Sequence, residues 1–88
     1  MFDDIDFSPG IITYNETRDL DQEDIFQVSY FEGKYTLDVG WYRNEFAVYV
    51  IKAFDRENPM LEKRCTEVDM LHELVQECSV YVGDILSR

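Results

Sequence analysis

The stretch that decides the fold runs Ile25-Phe26-Gln27-Val28-Ser29-Tyr30-Phe31, Glu32-Gly33, Lys34-Tyr35-Thr36-Leu37-Asp38-Val39-Gly40-Trp41-Tyr42, Arg43-Asn44, and then Glu45 to Ala53. Three β-rich runs are separated by two short loops. Each loop contains Gly or Asn, residues that accept the positive φ of a tight hairpin. The register follows from the loops. A turn at Arg43-Asn44 sets Trp41 opposite Phe46, Val39 opposite Val48 and Leu37 opposite Val50. A turn at Glu32-Gly33 sets Tyr30 opposite Tyr35, Val28 opposite Leu37 and Phe26 opposite Val39. Both hairpins then gather their large apolar residues on one face, and a slip of one residue would scatter them. The other face holds Gln27, Ser29, Thr36, Asp38, Gly40, Ala47, Tyr49 and Ile51. It is mixed rather than polar, so the reading expects a cover from the N-terminal segment or from a partner.

Downstream, Asp55-Arg56-Glu57-Asn58-Pro59 is a turn-rich loop. Met60 to Cys65 reads as a further strand, and its Glu62-Lys63-Arg64 suits a sheet edge. Thr66-Glu67-Val68-Asp69 resembles a helix-capping box with Asp in place of Glu. Val68, Leu71, Leu74, Val75, Cys78, Tyr81, Val82 and Ile85 then recur at spacings of three and four, forming one apolar stripe. Gly83 marks the last turn of that helix. Upstream, Ile11-Ile12-Thr13-Tyr14 reads as a short strand after Ser8-Pro9-Gly10, while Phe2, Ile5 and Phe7 anchor an otherwise acidic arm. The fold expected is a single α+β domain over residues 1–88. It comprises an acidic N-terminal segment (1–23), an antiparallel β-meander of three to five strands (24–65) and one C-terminal amphipathic helix (66–87) packed on one face.

The 88 residues are 45% apolar and 15% aromatic, rich enough for a folded core despite a net charge of −11. No run of roughly 18 apolar residues is present, so no membrane span is expected. Met1-Phe2-Asp3-Asp4-Ile5-Asp6 is acidic where a secretory signal would be basic and then apolar. A cytoplasmic location with two reduced cysteines, Cys65 and Cys78, is the expectation. The charge is uneven. Residues 1–24 hold eight acids and one base, residues 25–65 six of each, and residues 66–88 five acids and one base. Such a field repels nucleic acid and anionic membrane, and attracts a basic protein surface.

Little in the sequence carries catalytic chemistry. Asp19, Asp21 and Glu23 alternate as calcium-loop ligands do, but the required Gly is missing and Tyr30 stands where a bidentate Glu should close the loop. A solvated acidic loop is the better reading. His72 is the only histidine. It falls on the polar side of the helix without a nucleophile motif, and reads as a surface residue. Cys65 and Cys78 match no redox or zinc spacing and read as buried thiols. Of the two, Cys65 is the better candidate for reactivity, because Arg64 adjoins it. Tyr42 and Arg43 sit at a hairpin tip, and exposed Tyr and Arg are favoured at binding hot spots.

The segments Tyr35-Thr36-Leu37-Asp38-Val39-Gly40-Trp41-Tyr42, Val48-Tyr49-Val50-Ile51-Lys52, Asn58-Pro59 and Glu62-Lys63-Arg64-Cys65 together resemble a pattern in small bacterial immunity proteins. These belong to contact-dependent growth inhibition and related polymorphic toxin systems. The resemblance spans roughly residues 33–65 and includes no catalytic motif. It implies a cytosolic protein that binds and neutralises one cognate toxin, and it carries over no functional residue. Read from the residues themselves, a basic toxin domain such as a nuclease would meet Asp19, Asp21, Glu23 and Asp24 together with Tyr42. No catalytic residue, metal or cofactor is expected. The alternative is a module that pairs with a second copy through its edge strand or its half-apolar sheet face, where Ile25, Ala47, Tyr49 and Ile51 lie. A third reading, an enzyme using His72 or a carboxylate pair as general base, has no motif behind it.

Overall fold

The computed structural model describes residues 1–87. Five strands form one sheet: β1 (Ile11–Asn15), β2 (Phe26–Tyr30), β3 (Tyr35–Tyr42), β4 (Glu45–Lys52) and β5 (Leu61–Cys65), followed by helix α1 (Val68–Leu86). The strand order is β1-β2-β3-β4-β5 with every neighbour antiparallel, so the chain meanders and then lays its helix back across the sheet. The fold class expected from the sequence is the one observed.

Both hairpin registers are those read from the apolar pattern. Trp41 faces Phe46, Val39 faces Val48 and Leu37 faces Val50. Tyr30 faces Tyr35, Val28 faces Leu37 and Phe26 faces Val39. At the β3–β4 turn, Arg43 and Asn44 take φ of 53° and 67°, the left-handed pair whose twist matches the flanking strands. At the β2–β3 turn Phe31 joins Glu32 and Gly33 in positive φ, and the Lys34 N–H donates to the Phe31 carbonyl. A third such turn, at Ala53 and Phe54, opens the β4–β5 connection, closed by the Asp55 N–H on the Lys52 carbonyl.

The core lies between one sheet face and the helix. Val28, Leu37, Val39, Val48 and Val50 from the sheet are fully buried, as are Leu71, Val75, Cys78 and Val82 from α1. The helix contacts β3, β4 and β5, leaving the β2 side of that face to the N-terminal segment. There Phe2 and Phe7 pack on the Phe26 ring at centroid distances of 4.8 and 5.3 Å, and Ile5 is buried beside them. The expected anchors therefore hold, but on the helix side of the sheet. His72 is tied to the same arm, with its Nε2 2.8 Å from Asp4 Oδ1. That hydrogen bond lowers the Asp4 carboxyl below its ordinary value.

The opposite face is mixed in character, as expected, and two connecting segments close it. Its centre is already closed: Ala47, Ile51, Thr36 and Asp38 are buried, and Tyr49 is half-buried. Part of its cover is the expected N-terminal segment, whose Glu23 carbonyl lies over Gly40. Arg56, from the loop after β4, donates from Nη1 to the Asp38 carboxylate at 2.6 Å. Ile25 is fully buried as well, so the face offers no broad apolar surface for pairing. Two smaller corrections concern the helix. Its N-cap is Glu67, with no side-chain cap hydrogen bond, so Thr66 does not form the expected capping box. Val68 is largely exposed rather than part of the buried stripe. The last turn does fall at Gly83, whose carbonyl accepts from the Ser87 N–H.

Candidate protein-binding site

The acidic connection between β1 and β2 is an ordered structure. Its base is closed by the Glu16 N–H on the Ile25 carbonyl at 2.7 Å. Its far limb is fastened to β3 at two points: the Trp41 N–H donates to the Gln22 carbonyl, and the Ile25 N–H donates to the Val39 carbonyl, both at 2.9 Å. Between those points the Glu23 carbonyl lies against Gly40, where an added Cβ would sit 2.0 Å from its oxygen. A mid-strand glycine is therefore needed because another backbone passes over it.

This seating determines where the sequence candidates fall. Asp21, Glu23 and Asp24 line one open hollow with Gln22 and Tyr14. Asp19 borders an adjoining cleft of about 350 Å³, whose floor is Leu20, Trp41, Phe46 and Val68 and whose rim also carries Arg18 and Asp21. Trp41 and Phe46 meet edge to face at 4.7 Å. Tyr42 lies on the far sheet face, half-buried, with Tyr49 at 6.2 Å. Burial, then the charges of Asp38 and Asp24, push its hydroxyl up to about 12, so Tyr42 stays protonated at neutral pH. All five candidates thus gather at the end of the sheet where β3 turns into β4, on two sides of it.

The acids outnumber the bases there, with Arg18 on the cleft rim and Arg43 exposed in the β3–β4 turn. The Gln22 amide donates to both the Asp19 and the Asp21 carboxylates, at 3.2 and 3.3 Å. The two carboxyls are close enough that Asp21 raises Asp19, while the contact with Asp19 and the Gln22 bond lower Asp21. Among the described residues, neither they nor Glu23 and Asp24 are in a salt bridge, whereas Arg18, Arg56, Lys63 and Arg64 are all engaged elsewhere. Such a surface accepts hydrogen bonds and attracts cations. No three His, Cys, Asp or Glu side chains among the described residues converge to hold a metal ion.

The remaining candidates are placed by packing. Cys78 is fully buried under α1 and its thiol is pushed up to about 11 by desolvation. Cys65 is also raised by burial. Arg64 does not activate it, because its guanidinium bonds Glu62, Glu45 and the Tyr49 hydroxyl instead. Both thiols are free.

Sequence reasoning missed the Trp41 cleft and the Asp38–Arg56 pair. Trp41 lies on the core face, as the hairpin register requires, yet at the margin of that face, where it is half-exposed. The one usable signal was Gly40, an unexplained glycine inside a strand.

No helix among the described residues is long and apolar enough to cross a membrane. Comparison with protein-family models, with curated proteins and with solved structures finds no match to this chain.

Proposed function

We propose that this chain is an acidic protein-binding domain that neutralises a basic partner in the cytoplasm, acting as an immunity protein towards a toxin domain such as a nuclease. The observation that carries the reading is the set Asp19, Asp21, Glu23 and Asp24. It is held on backbone hydrogen-bonded to β3 and has no base in a salt bridge with it among the described residues. A nuclease exposes a positive cleft to hold phosphates. An acidic surface beside it speeds encounter and discriminates against wrong partners. Lasting affinity needs aromatic contacts as well, and Tyr42 and Trp41 flank the acids on the two sides of the sheet.

The test is capture from source-cell lysate on the immobilised protein, with low- and then high-salt washes. The variant Asp19→Asn, Asp21→Asn, Glu23→Gln, Asp24→Asn serves as comparison. One stoichiometric basic protein is expected on the native surface, retained at least roughly tenfold less well by the variant, as the loss of several charge contacts requires. A basic partner that binds both forms equally would place the contact elsewhere. Recovery of no basic protein from cells expressing the cognate toxin would remove the inhibitor reading.

A further inference from the structure

The sheet has two edges, and they are guarded very differently. The β5 edge carries Glu62, Lys63 and Arg64 in five residues, engaged in ion pairs with Glu45 and Glu77 among others. Charges of this kind discourage strand addition. The β1 edge is Ile-Ile-Thr-Tyr-Asn, with no charge in any of its five positions and every residue exposed. Ile11 is 70% exposed, Ile12 50% and Tyr14 44%. Among the described residues, its edge protection is an irregularity in the pairing with β2 between Ile12 and Tyr14.

We infer that β1 is a self-association edge, at which two copies of this chain pair antiparallel about a two-fold axis and join their sheets. Charge selects the occupant. A foreign basic strand gains nothing from a neutral edge and is drawn instead to the acidic loop. A second copy carries −11 of its own, and the neutral β1 strand is where it can approach closely. Charge also selects the direction. The acidic loop leaves β1 at the Asn15 end. Antiparallel pairing sends the two loops beyond opposite ends of the paired strands, at least about 17 Å apart for five residues. That exceeds the screening length of about 8 Å at physiological salt, so the repulsion is largely screened. Parallel pairing would set the loops side by side. The faces agree as well. Ile11 pairs with Ser29 and Tyr14 with Gln27, so both lie on the outer face. A register with Ile11 opposite Tyr14 of a second copy keeps apolar against apolar. A single short strand makes a small interface, so the dimer is reversible and concentration-dependent.

Sedimentation equilibrium over a wide concentration range, at moderate and at molar NaCl, tests this together with hydrogen exchange at low and high concentration. A monomer–dimer equilibrium is expected that tightens with salt. The amides of β1 are expected to gain protection with concentration while those of β5 do not. Ile11→Glu, at a position open enough to leave the fold intact, should weaken the dimer roughly tenfold or more, because it sets a charge against the pairing twice over. Val80→Glu, an equal charge on the open side of α1, should change it little. A chain that stays monomeric throughout, concentration-dependent protection at β5 instead of β1, or a dimer indifferent to Ile11→Glu would each overturn the inference. Tyr14 borders the acidic hollow as well, so Ile11→Glu, which lies outside that hollow, is the variant that separates self-association from binding of a basic partner.

Discussion

Removing Arg56 should destabilise the fold in a strongly pH-dependent way. The Asp38 side chain is 3% exposed, whereas that of Arg56 is 57% exposed, so only one partner of the 2.6 Å pair is truly buried. Breaking a fully buried pair costs about 3–5 kcal/mol, and an exposed pair contributes at most about 1 kcal/mol. The half-exposed guanidinium places Arg56→Ala between them, near 2 kcal/mol at neutral pH, or roughly 8–16 °C in Tm for a domain of this size. Desolvation raises the Asp38 carboxyl, and Arg56 pulls it back. An acid whose folded pKa is raised binds its proton more tightly when folded. Stability is therefore lost as pH rises from the unfolded value through the folded one. Without Arg56 the folded value climbs further and the loss grows. Below the ordinary carboxylate value of 3.8 both states carry the proton, and Arg56→Ala should nearly match the native protein. Urea unfolding across the acid-to-neutral range, with Asp38→Asn and the double variant, closes the cycle. In the Asp38→Asn background the Arg56 deletion should cost well under 1 kcal/mol, since no charge is then stranded. An equal cost at acid and neutral pH, or in the Asp38→Asn background, would refute the reasoning.

Gly40→Ala is expected to cost about 1–3 kcal/mol, because its methyl meets the Glu23 carbonyl. Hydrogen exchange should show the Trp41 amide losing protection first, as its bond to Gln22 opens. Tyr30→Phe should stabilise the fold by about 1 kcal/mol in chemical denaturation, since the buried Tyr30 hydroxyl has no hydrogen-bond partner among the described residues. Asp4→Asn should remove a stabilising contribution that is present above the ordinary carboxylate value and lost as pH falls through the lowered folded one. Its stability curve should therefore converge with that of the native protein on the acid side. Leu71→Ala, under the helix, should cost about 2–5 kcal/mol by thermal unfolding.

The two hairpins were legible because apolar alternation and loop length fix register independently and here agree. The β4–β5 turn was not, because Ala53 and Phe54 adopt positive φ without the Gly or Asn that advertises it. Residues 1–7 showed their anchors but not their destination. Phe2 and Phe7 would bury equally well on either side of a sheet, and only the space left beside α1 decides. The Arg56 part of the outer cover was hidden because Arg56 and Asp38 stand 18 residues apart with no periodic relation. For the candidate site, the acids and Tyr42 were visible separately. What brings them to one end of the sheet is the passage of Glu23 over Gly40, a backbone contact whose mark in the sequence is that mid-strand glycine alone.

The fastening of Gln22 and Ile25 to β3 also has a thermodynamic meaning for association. Immobilising a free backbone costs about 1–2 kcal/mol per residue, a charge that would fall on any complex made through a slack loop. Here folding has already met that cost, so only side-chain rotamers remain to be fixed, at about 0.5–1.5 kcal/mol each. A partner drawn to Asp21, Glu23 and Asp24 would thus meet a preformed surface, its complex governed by long-range attraction and release rather than by a slow ordering step.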